Sequence, residues 1–122
     1  MTLQELYTKV EGDYEAAKRT LMMDSLIGKM IVRFPEDPNC GRMLEAGKTM
    51  DAAGLFEGAH ALKGVAGSLG LTKLSAMAGE ITEEFREGRP RSKSDDEVRE
   101  KLEEVRRLYE TTLEAIKEYT AG

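Results

Sequence analysis

The chain has 122 residues, a net charge of −5 and a pI near 5.0; 40% of the residues are hydrophobic and 34% charged. That length suggests a single domain, 1–122, able to bury a core without disulfides or a metal, and the composition excludes a disordered chain. The acidic balance argues against nucleic acid as a partner, no apolar run approaches a membrane span, and the lone Cys40 forms no internal disulfide.

Helical periodicity runs almost throughout, and no strand alternation stands out. A short helix is predicted over residues 2–10, ending near Gly12. Asp13 is placed to cap a second helix running from Tyr14 to about Arg33, with a break near Asp24. The two prolines of "FPEDPN" mark a turn. A further helix covers about 39–49. Asp51 or a neighbour caps the next, about 52–69, which Gly70 interrupts. Thr72 is placed to cap a helix over about 73–88. "GRPRSKSDD" reads as a polar loop, and Ser94 with Glu97 forms a capping box for a last helix, about 95–120.

The expected fold is all-α: an antiparallel up-down four-helix bundle within residues 36–120, with the helices of residues 1–35 over one end. Leu74, Ala78, Ile81 and Phe85 make one apolar stripe; Val98, Leu102, Val105, Tyr109, Ile116 and Tyr119 make another. The charged face of the last helix reads as a solvated surface. Met22, Met23 and Met30 are read as core fillers rather than a ligand surface. The amino terminus has neither the basic start nor the apolar stretch of a secretory signal, so the expected location is the cytoplasm. An initiator Met and a full helical set suggest a free-standing protein rather than an excised module.

"GAHALKGVAGSLG", residues 58–70, holds the only histidine. On a helical wheel Leu55, Ala59, Leu62, Ala66 and Leu69 form the core stripe. His60 lies roughly opposite, with Phe56, Lys63, Gly64 and Gly67 around it. Gly58, Gly64 and Gly67 together weaken a helix by about 2–3 kcal/mol relative to alanine. Gly64 and Gly67 lie off the core stripe, so internal packing explains them poorly. Open surface beside an imidazole lets another molecule bring its own backbone close. Gly58 has no account beyond packing.

An exposed imidazole offers a neutral nucleophile at cytoplasmic pH, and Lys63 adds a mobile cation one turn away. Glu57, at i−3, either orients the ring or is a solvated charge. No second ligand set for a metal and no base–nucleophile pair is evident. Cys40, in "DPNCGR", lacks a supporting base, so no enzyme is expected. A nucleophile, a cation and open space suit a carrier whose partner supplies the chemistry. The alternative is a helical adaptor that binds a partner through the same glycine-cleared surface without being phosphorylated.

"AHALKGVAGSLG" resembles the signature of histidine-containing phosphotransfer (HPt) domains: His60, Leu62, Lys63, Gly64, Ala66, Leu69 and Gly70. The similarity continues through Leu74, Ala78, Ile81 and "REG" at 86–88, and more weakly upstream. Ala61 stands where the family often has Thr, and Thr82 where it commonly has Glu. The resemblance implies a helical bundle that carries a phosphoryl group on His60. The group would come from an aspartyl phosphate on a receiver domain or a hybrid sensor histidine kinase, and pass to a response regulator. It further implies that Lys63 neutralises the phosphoryl charge and Gly64 permits close approach. No cofactor is expected on this chain, since Mg²⁺ would belong to the receiver. Phe56 and Gly67 are expected to help form the docking patch. A monomer is expected.

Overall fold

The computed structural model describes all 122 residues. It contains seven α-helices and no strand: α1 (Leu3–Lys9), α2 (Tyr14–Leu21), α3 (Asp24–Arg33), α4 (Asn39–Lys48), α5 (Ala52–Ser68), α6 (Thr72–Glu84) and α7 (Asp95–Ala121). A single 3₁₀ turn, Phe34–Glu36, carries the first proline. The last four helices pack in a ring, α4 on α5, α5 on α6 and α6 on α7, with α7 closing onto α4. Links of three residues join α4 to α5 and α5 to α6, so these pairs must run antiparallel.

The predicted caps hold in part. Asp13, Asp51 and Ser94 each accept a hydrogen bond from a first-turn amide, and Ser94 with Glu97 completes a capping box. Thr72 is not a cap. The cap position of α6 is Leu71, without a side-chain bond, and the Thr72 hydroxyl instead donates to the Glu11 carbonyl across the fold. Gly70 ends α5 as expected. It sits at φ +73°, a left-handed conformation that glycine adopts without steric penalty, and Leu71 N–H reaches back to the Ala66 carbonyl at 2.9 Å.

Every residue of the α5 stripe is buried, as are Leu74, Ala78, Ile81 and Phe85 of α6. Thr112 and Ala115 complete the inner face of α7, while Tyr109 and Tyr119 lie half-buried at its margin. The N-terminal helices close the end of the bundle where α5 meets α6. The buried Tyr7 hydroxyl donates to the Leu69 carbonyl at 2.5 Å, and Asp13 N–H to the Gly70 carbonyl at 2.8 Å.

The methionines correct the sequence reading. Met22, Met23 and Met30 are 78%, 57% and 37% exposed. The chain breaks at Met22, where φ is +74°. That reversal turns the break outward and leaves Met23, Leu26 and Met30 along the outer side of α3; Met43 is the methionine that fills the core.

Helix α6 also ends four residues earlier than its periodicity suggests, at Glu84. The Glu84 side chain turns inward, 5% exposed, and grips the following loop. It accepts from the Ser92 amide at 2.8 Å, the Ser92 hydroxyl at 2.7 Å and the Lys93 amide at 2.8 Å. Burial alone would raise its pKa. The bonds from Lys93 and Ser92, with the Lys93 charge, outweigh that and hold it below the usual carboxylate range. A depressed folded-state pKa means the contribution to stability is complete above the unfolded value, near 4.5, and fades as pH falls below it. Glu84→Gln is expected to lower stability by about 2 kcal/mol at pH 7, with the gap to wild type narrowing below pH 4. Urea denaturation at both pH values measures this.

Candidate functional site

His60 sits in the middle of α5, exposed, on the face opposite the core stripe. The helix is fixed beneath it by Gly58. A Cβ added there would meet the Met43 backbone nitrogen at 2.8 Å and Cα at 2.9 Å. Helices α4 and α5 therefore touch backbone to backbone at this point, which explains the glycine the sequence left without a reason.

The two glycines beyond His60 differ from one another. At Gly64 an added Cβ would meet nothing within 4 Å. Helical side chains lean toward the amino terminus, so a side chain at 64 would cover the surface beside His60; glycine leaves it bare. At Gly67 a Cβ would lie 3.3 Å from Ser75 Oγ. Ser75 uses that approach to donate to the Lys63 carbonyl at 2.9 Å. Gly67 thus has a packing reason of its own, which corrects the expectation that internal contacts explain it poorly.

Lys63 extends along α6, its stem 3.5–3.6 Å from where a Cβ of Gly79 would stand. The nearby carboxylates are already engaged: Glu83 with Arg86 at 2.6 Å and Glu80 with Lys101 at 3.2 Å. Glu83 is held below the usual carboxylate range chiefly by the Arg86 hydrogen bond; desolvation pushes the other way, and the charges of Arg86, Arg89 and Lys63 add to the lowering. Lys63 itself forms no ion pair and remains a free cation on the His60 face. A groove of about 660 Å³ runs beside it, lined by Glu80, Glu83, Arg89 and Lys93 among others.

Glu57 makes no hydrogen bond with His60 and faces a separate groove with Asn39 and Arg42. The imidazole stacks instead on Phe56, whose half-buried ring lies parallel to it, centroids 5.5 Å apart and 6° between planes. The guanidinium of Arg86 covers the Phe56 ring at 5.4 Å. Arg86 entered the sequence reading only within "REG" at 86–88, with no role of its own. No group of three histidine, cysteine, aspartate or glutamate side chains converges anywhere in the chain. Cys40 is buried and its thiol is pushed up to about 12 by desolvation, with the Asp37 charge adding to the effect, so it stays protonated and unreactive.

A lone exposed imidazole mid-helix, with a cleared surface on its carboxyl-terminal side and a free lysine, is the arrangement the sequence motif anticipates. The family model for the Hpt domain matches residues 3–118. The chain belongs to the Hpt domain family. Searches of curated proteins and of solved structures gave no significant match. The match takes in the N-terminal helices as well as the bundle. Hpt domains are helical phosphocarriers of phosphorelays, working with receiver domains and kinases of two-component signalling. No helix of this Hpt protein is long and apolar enough to cross a membrane.

Proposed function

We propose that this protein carries a phosphoryl group on His60 between receiver domains. The observation that carries the reading is the bare surface at Gly64 beside an exposed imidazole stacked on Phe56. The Nε2 lone pair attacks phosphorus in line as the bond to the receiver's aspartate oxygen breaks, and the aspartate leaves as a carboxylate. The reverse step loads the next receiver. The transferred group adds about −1.5 to −2 charge, if it behaves as other phosphoryl groups do. Lys63, one turn on and free of ion pairs, is the cation proposed to balance it, acting as a mobile point charge. The divalent cation and the aspartate come with the receiver. Lys63, Gly64 and Gly67 form the proposed docking patch, and the proposed working form is a cytoplasmic monomer without cofactor.

Incubation with a phosphorylated receiver tests this. The expected product is a phosphoprotein whose label is lost in acid, survives alkali and maps to His60. A protein that binds receivers yet takes no label is an adaptor, and the proposal falls.

A further inference from the structure

The ring of His60 forms no hydrogen bond, and its ring contact is with Phe56. Phe56 lies one helical turn before it, its ring parallel and offset, with centroids 5.5 Å apart. Such offset pairs are favourable at centroid separations of about 4.5–7 Å. The Phe56 ring packs against the core on its inner side, and Arg86 lies over it at 5.4 Å. Arg86 is in turn held by Glu83 at 2.6 Å through its Nε. A chain of contacts thus runs from the end of α6, through Glu83, Arg86 and Phe56, to the imidazole on α5.

We propose that Phe56, backed by Arg86, is a positioning residue for phosphoryl transfer at His60: its offset stack restrains the ring plane and leaves the edge nitrogen and the Gly64 side open. The inference rests on His60 being the acceptor. Its reasoning is geometric. In-line transfer uses a lone pair lying in the ring plane, so a ring free to turn spends most of its time misaligned, and misplacement by about 1 Å can slow a reaction 10²-fold. A side chain on a helix surface, with no hydrogen bond to hold it, otherwise samples several rotamers. The stack supplies the missing restraint without occupying either ring nitrogen, which a hydrogen-bonding carboxylate would do.

The test compares wild type, Phe56→Leu, Phe56→Tyr and Arg86→Met in single-turnover transfer from a phosphorylated receiver, alongside receiver affinity and the NMR shifts of the His60 ring protons. Leucine keeps the apolar packing and the helix. Phe56→Leu is expected to slow transfer within the complex about tenfold, leave receiver affinity within twofold, and abolish the ring-current shift of the His60 protons. Phe56→Tyr is expected to restore all three. Arg86→Met is expected to slow transfer about threefold, with part of the ring-current shift lost. Wild-type rates in Phe56→Leu, with the label still on His60, overturn the positioning role alone. A fall in affinity at an unchanged transfer rate makes Phe56 a docking contact and also overturns it. A wild-type protein that takes no label on His60 overturns the acceptor assignment instead.

Discussion

A His60→Gln variant is expected to take no phosphoryl group from any receiver, while its stability stays within about 1 kcal/mol of wild type. Glutamine is close in size and polarity but has no nucleophilic lone pair on nitrogen. His60 is exposed and makes no hydrogen bond, so the fold loses only its stack on Phe56. The two halves of the result are informative together. Loss of labelling with an unchanged urea midpoint assigns the defect to chemistry. Loss of labelling with a large fall in midpoint would mean that His60 supports the fold, contrary to its exposed position. Retained labelling would place the acceptor elsewhere, and no second histidine exists to receive it.

The same substitution at two glycines of α5 is expected to have opposite effects on stability. Gly58→Ala is expected to lose about 2 kcal/mol. An added Cβ would lie 2.8–2.9 Å from the Met43 backbone, which cannot rotate away as a side-chain tip does. Overpacking of this kind typically costs about 1–3 kcal/mol and more where backbones must part; the gain in helix propensity, about 1 kcal/mol, offsets only part. Gly64→Ala meets nothing and is expected to gain about 0.8–1 kcal/mol for the same propensity reason, while slowing phosphoryl transfer. Urea midpoints at constant m-value read the stability changes, and the receiver assay reads the rate. A Gly64→Ala protein that is less stable than wild type would show that the surface there is not open.

Much of this was legible in the sequence because it is local. Helix starts follow from Asp13, Asp51 and Ser94 bonding amides three residues on. The core faces follow from residue spacing, and His60 falls opposite the α5 stripe for the same reason. What escaped depends on where distant segments meet. The outward methionines follow from a left-handed residue at position 22, where no glycine announces a reversal. The reason for Gly67 is a hydroxyl on another helix. Arg86 reaches Phe56 from a turn just past α6, where Glu84 holds residues 92 and 93. No periodicity records a grip of that kind, because both partners are ordinary charged residues in sequence.

Helix α5 meets α4 backbone to backbone through Gly58 on one side and carries His60 on the other. Residues under stability constraint therefore lie mostly away from the histidine, with Gly67 and Phe56 the exceptions that also pack inside the chain. Under the proposed function, substitutions at the exposed positions around the histidine can change receiver choice at little cost in stability. A duplicated copy of such a gene has an open route to insulated signalling: its recognition face drifts while its packing face is held, and the ancestral fold survives each step.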